Sequence, residues 1–112
     1  MLIIPKRLHI PKNDYNTHNE YIENSSYRIC LDKKITFKII DDCIYILFGF
    51  PFNRYGRIDL NKILHSGEEI LKTAGGGYAL ILIKENNISV IKSIYRNIDI
   101  YYHIHSDGYL II

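Results

Sequence analysis

Residues 72–112 read KTAGGGYALILIKENNISVIKSIYRNIDIYYHIHSDGYLII, and the fold turns on this stretch. It begins as a helix end, breaks at Gly75-Gly76-Gly77, and continues as four short strands with tight turns. Tyr78–Ile83 is a nearly unbroken apolar run, the composition of a strand buried on both faces. Glu85-Asn86-Asn87 supplies a turn, Ile88–Tyr95 a second strand and Ile98–His105 a third. Ser106-Asp107-Gly108 is the next turn, with Asp-Gly a strong hairpin signal. Tyr109–Ile112 opens a fourth strand.

Upstream, Cys43–Phe50 is strongly apolar and is expected to be a central strand. Ile35–Ile40 alternates, with Ile35, Phe37 and Ile39 on one face and Thr36 and Lys38 on the other. Asp41-Asp42 is a turn between them. Tyr27–Leu31 reads as a strand and Asp32-Lys33-Lys34 as a turn. Pro51 ends the Cys43 strand, and Asn53–Gly56 turns the chain. Asp59 is placed to cap a helix that starts at Leu60. Ser66 is the expected cap of a restart, with Glu68-Glu69 favourable in its first turn. Gly75 or Gly76 is expected to take the left-handed position after that helix.

The first 26 residues carry the weakest pattern. Leu2-Ile3-Ile4 and Leu8-His9-Ile10 have the composition of short strands, each cut by a proline. Lys12–Ser26 is polar and rich in Asn, and reads as a loop, so 1–26 is expected to be largely irregular. The order of strands, helical insert and strands makes a single α+β domain over residues 1–112. Its sheet is expected to be mostly antiparallel, with one or two short helices.

Bulk properties narrow the classes. A chain of 112 residues can bury a real core, and an apolar fraction of 47% is ordinary for a globular protein. A net charge of +2, with basic residues scattered rather than clustered with aromatics, argues against nucleic acid as a partner. The apolar start at Met1–Pro5 is too short for a signal-peptide core, and no run approaches the ~18–20 residues of a spanning helix. The expectation is a cytoplasmic protein without membrane contact. Cys30 and Cys43 lack metal spacing and read as buried reduced thiols; a disulfide would require their strands to pair.

The same C-terminal stretch resembles a family. Gly76-Gly77-Tyr78-Ala79-Leu80, Ile100-Tyr101-Tyr102 and Asp107-Gly108-Tyr109-Leu110 occupy places corresponding to the middle of the class II glutamine amidotransferase domain. That domain opens asparagine synthetases and their relatives. The likeness is strongest to its degenerate form in asparagine-synthetase-like peptide cyclases, such as lasso-peptide cyclases, and it covers roughly residues 43–112. It implies half of an αββα sandwich of the N-terminal-nucleophile type.

The chemistry of that family is not carried over. Its glutaminase reaction needs an N-terminal cysteine whose own α-amino group acts as base, and here Leu2 follows Met1. The family's glutamine-pocket motif should follow the central strand, where this chain has Phe48-Gly49-Phe50-Pro51-Phe52-Asn53. Phe50 and Phe52 offer no hydrogen bonds to an amide head group. The synthetase's ATP loop has no counterpart. The only glycine run, Gly75-Gly76-Gly77, sits after a helix and before a strand, the reverse of a phosphate cradle. No cofactor and no catalytic residue is assigned. His103 and His105 share one strand face with Tyr101 and Asp99, but without a third ligand they read as a polar surface row rather than a metal site.

The apolar C-terminus, Tyr109-Leu110-Ile111-Ile112, raises a further question, because a half-built sandwich leaves a sheet face or edge open. Either another protein (a second copy or a synthetase-like subunit) covers it, or the N-terminal segment does. The residues implied in binding are Phe48, Phe50, Phe52, Tyr101, Tyr102, Tyr109 and Ile112. The resemblance implies a non-catalytic accessory or docking module for an ATP-dependent amide-forming enzyme, in modified-peptide biosynthesis. The alternative is a small self-contained partner-binding protein, such as an immunity or antitoxin-like inhibitor.

Overall fold

The computed structural model describes residues 1–7, 19–93, 103–104 and 110–111, with the backbone alone at 2, 19, 103, 104, 110 and 111. The fold is α+β, with two antiparallel sheets, a small hairpin, one α-helix and a 3-10 turn.

The most apolar runs become the centre. β5 (Cys43–Gly49) and β8 (Tyr78–Lys84) pair antiparallel along their whole length, from Cys43 opposite Lys84 to Gly49 opposite Tyr78. β4 (Thr36–Ile40) and β9 (Asn87–Lys92) flank them, giving the order β4-β5-β8-β9. Tyr78 through Ile83 are all buried, as a strand covered on both faces requires. Alternation then sorts the side chains into two cores. Ile44, Ile46, Ile81 and Ile83 face one way and pack with Ile3, Ile22, Ile29 and Leu31 of the other sheet. Leu47, Tyr78 and Leu80 face the opposite way and pack with Ile58, Leu60, Ile63 and Leu71 of the helical insert. The layers are sheet, sheet, helix.

The second sheet comes from the two ends of the chain. β1 (Leu2–Pro5) lies between β3 (Tyr27–Asp32) and β11 (Leu110–Ile111), with β2 (Asn19–Glu23) beyond β3 and β10 (His103–Ile104) beyond β11. Leu2 is opposite both Cys30 and Ile111. The N-terminal segment therefore pairs with the C-terminal strand, and its Ile3 packs against the inner face of the β5–β8 sheet.

Several expectations need correction. Within 1–26, Leu2–Pro5 is a strand as its composition suggests, Asn19–Glu23 is a strand where the sequence reads as a loop, and residues 8–18 lie outside the described residues. β2 gave no alternating signal because Ile22 is its one buried apolar residue. The four C-terminal strands divide between the sheets, β8 and β9 in one and β10 and β11 in the other. The strand expected over 88–95 runs Asn87–Lys92, and the described part of the one expected over 98–105 is His103–Ile104. Residues 94–102 and 105–109, with the Ser106-Asp107-Gly108 turn, lie outside the described residues, as does Leu8-His9-Ile10. Cys30 is buried and Cys43 half-buried, and they lie on different sheets with no disulfide between them.

The helix α1 (Leu60–Ser66) starts where the sequence places it, with the Asp59 carboxylate accepting from the Lys62 amide at 2.9 Å. Ser66 is its last residue and caps nothing. The 3-10 turn Glu68–Leu71 follows Gly67, whose N–H donates to the carbonyl of Ile63 at 2.8 Å and whose φ of 82° turns the following chain out of the helix. Gly67 thus ends α1, and Gly76, at φ 88°, takes the left-handed conformation expected of Gly75 or Gly76 beyond the 3-10 turn, whose own cap is Lys72.

At the Cys43 end of the central strand pair, Asn24 joins the two sheets. Its side-chain amide donates to the carbonyls of Asp42 at 3.2 Å and Glu85 at 2.9 Å. Its carbonyl oxygen accepts from the amides of Ser26 at 2.9 Å and Tyr27 at 2.8 Å. All four hydrogen-bonding positions of the side chain are used, at a residue only 6% exposed. Both turns that Asn24 grips contain a non-glycine residue at positive φ, Asp41 at 53° and Glu85 at 50°. Asp42 is held from the other side, where the Ser25 amide donates to its carboxylate at 2.7 Å and the Ser25 hydroxyl to its second oxygen. These bonds to Ser25, with help from the Lys6 charge, hold the Asp42 carboxyl below the usual range.

Candidate functional site: an exposed aromatic hairpin

The other end of the β5–β8 pair is built differently. Gly49 leaves β5 at φ 79°, and Phe50-Pro51 leads into the hairpin of β6 (Phe52–Asn53) and β7 (Gly56–Arg57). Asn53 closes the turn, its side-chain oxygen accepting from the Tyr55 amide at 2.9 Å. Pro51 is fully buried and its carbonyl accepts from the amide of Ile58 at 2.8 Å. The base of the hairpin is therefore anchored to the helix-side core.

The three glycines are its second support. Phe50 donates to the Gly77 carbonyl at 2.9 Å, Phe52 to the Gly75 carbonyl at 3.1 Å, and Gly75 back to the Phe52 carbonyl at 2.8 Å. A Cβ on Gly76 would lie 2.4 Å from the Phe50 oxygen, and one on Gly75 would lie 3.1 Å from the Phe52 ring. Gly76 is also at φ 88°. The glycine run is thus a bed on which the Phe52 ring and the Phe50 backbone lie, a close-approach role for glycine. Behind it, the Tyr78 hydroxyl donates to the Leu71 carbonyl at 2.8 Å, tying the helical insert to β8.

What this scaffold presents is apolar. Phe50 is 62% exposed, Phe52 52% and Tyr55 77%. At about 200 Å² per aromatic residue, the three leave roughly 300–400 Å² open, within the range of the largest apolar patches on monomers, which are often functional. Two arginines lie on the rings. The Arg57 guanidinium is 4.4 Å from the Phe50 ring centroid, and that of Arg54 is 4.8 Å from the Tyr55 centroid. Arg54 also donates to the Tyr55 hydroxyl at 2.7 Å, and Lys62 donates to the Arg57 carbonyl at 2.6 Å.

Of the residues the sequence pointed to, Phe50 and Phe52 are brought together on this hairpin. Phe48 is not, because it is half-buried against the core between the two sheets. Tyr101, Tyr102, His105, Tyr109 and Ile112 lie outside the described residues, and His103 is described by its backbone in β10. Sequence reasoning missed Tyr55, Arg54 and Arg57. The available signal was Asn53-Arg54-Tyr55-Gly56, a tight turn carrying an aromatic and a cation at its tip.

Two further cavities lack this character. One of about 240 Å³ lies between Tyr45, Ile63 and Glu68 beside the helix, and one of about 370 Å³ between Lys6, Ser26 and Asn86. Among the described residues no group of three or more His, Cys, Asp or Glu is placed to hold a metal, and no helix is long and apolar enough to cross a membrane. Compared with known proteins, the chain matches no family model, no curated protein and no solved structure.

Proposed function

We propose that this chain is a non-catalytic docking module whose contact surface is the Phe50–Arg57 hairpin. Its partner is an ATP-dependent amide-forming enzyme of the asparagine-synthetase kind, acting in the making of a modified peptide. The observation that carries the docking half is the exposure of Phe50, Phe52 and Tyr55 on a well-anchored scaffold. Fully burying a large apolar side chain is worth about 1.5–3 kcal/mol, so three half-open rings on a preformed hairpin favour association at little ordering cost. The partner's identity rests on the sequence resemblance. In the family this place holds the glutamine pocket, and here it holds outward-facing rings. Phe50 and Phe52, which offer no hydrogen bonds to an amide head group, support a role without glutamine hydrolysis.

The test is photocrosslinking in the native host. A photoreactive residue at Phe50 or Tyr55 is expected to capture a synthetase-like protein, identified by mass spectrometry, while the same residue at Lys38 on edge strand β4 captures none. Capture of a toxin would move the reading to an immunity-type inhibitor. Equal capture from both positions would remove the hairpin as the docking surface.

A further inference from the structure

The hairpin's charge narrows what its partner must present, given that docking reading. Arg57 and Arg54 each lie over an exposed ring. A ring face holds a guanidinium plane but satisfies few of its five N–H groups, which remain available at its edge. The ion pairs among the described residues are Lys6–Glu23 and Lys72–Glu69, and neither arginine belongs to them. The nearest carboxylate in sequence, Asp59, is committed to the helix cap. Lys62 adds a third cation at the base of the hairpin, through its bond to the Arg57 carbonyl. The corner therefore combines open aromatic surface with guanidinium groups that no carboxylate of the described chain engages.

We infer that the hairpin binds an acidic segment of a protein partner, with Asp or Glu carboxylates forked onto Arg57 and Arg54 and adjacent apolar side chains covering Phe50, Phe52 and Tyr55. Bidentate carboxylate recognition is the geometry a planar guanidinium fits best. Stacking on Phe50 and Tyr55 already restricts both side chains, which lowers the ordering needed on binding. A single-stranded nucleic acid would use rings and arginines too, but it needs a groove of cations that tracks successive phosphates. Three cations at one corner, in a chain of net charge +2, do not make such a track.

The experiment selects ligands for the whole purified chain from a random twelve-residue peptide library displayed on phage, then measures the enriched peptides as synthetic probes by fluorescence anisotropy. The expected peptides are rich in Asp and Glu beside Leu or aromatic residues. Their affinity should fall at least about tenfold with Arg57→Ala and less with Arg57→Lys, which keeps the charge without the fork. It should also weaken severalfold between low and physiological salt. Enriched peptides that are neutral or basic, yet lose binding with Phe50→Ser, would overturn this inference and leave the docking surface standing. If nothing is enriched, or enrichment ignores Phe50→Ser, the docking reading falls with it. Tighter binding of a twelve-residue oligothymidylate than of any peptide would replace the acidic segment with a nucleic acid.

Discussion

The β5–β8 strand pair has two ends, about 20 Å apart by strand length, and they are finished in opposite ways. At the Cys43–Lys84 end, Asn24 uses every hydrogen bond it can make to hold two positive-φ turns against the second sheet. At the Gly49–Tyr78 end, the backbone is equally well paired, but the side chains carried there, Phe50, Phe52 and Tyr55, are left in water. One end spends its polar groups on internal order. The other is ordered in its backbone and open in its side chains, which is the condition of a preformed binding surface. The difference teaches that rigidity and exposure are set separately: by main-chain pairing and close glycine contact in the first case, and by which side chains the turn carries in the second.

The contrast can be broken most forcefully at Asn24. Asn24→Leu keeps the number and branching of the side-chain atoms but leaves the carbonyls of Asp42 and Glu85 and the amides of Ser26 and Tyr27 without their partner. The expected loss is about 3 kcal/mol in urea unfolding, from groups left unpaired in a buried site. A loss under about 1 kcal/mol would show that water replaces the side chain. Gly76→Ala comes next, at about 2 kcal/mol, because the new methyl meets the Phe50 carbonyl and φ 88° is strained for alanine. It should also disturb partner binding, since the Phe52 ring rests on the same glycines.

A smaller effect comes from acid. The folded-state pKa of Asp42 is depressed, so the native state resists its protonation more than the unfolded chain does. Its contribution is complete above the unfolded value and is lost as pH falls from about 4 through the lower folded value. Unfolding of Asp42→Asn should therefore depend less steeply on pH in that window than the parent does. An identical pH slope in both would remove Asp42 from the joint. Smallest for stability is Phe50→Ser, which gives up one exposed ring and its stacked arginine. The expected change is less than about 1 kcal/mol, while affinity for the partner collapses. A large destabilisation would make Phe50 a structural residue and erase the difference between the ends.

How far the sequence could be read follows from the range of the interactions. The buried run 78–83, the strand at Cys43 and the Asp59 cap are local statements, and they appear where the residues place them. Gly76 takes the expected left-handed conformation, but its close contact with Phe52 was not legible because Phe52 is more than twenty residues away and no local rule reveals a ring bed. β2 was missed because an edge strand with one inward apolar residue has no period to detect. Phe50 and Phe52 stood out through the resemblance, as rings where that family's pocket motif would stand. Arg54 and Arg57 did not, because a cation becomes informative only once the ring beneath it is known.

The pairing of Leu2 with Ile111 has a consequence for synthesis. β1, β2 and β3 are complete once residue 32 has been made, yet one edge of β1 stays unpaired until β11 emerges some eighty residues later. At about 5–20 residues per second that is roughly 4–16 s on the ribosome. During this interval the nascent chain carries an open, apolar strand edge. Slowing elongation lengthens the interval and gives any neighbouring nascent chain more time to pair there.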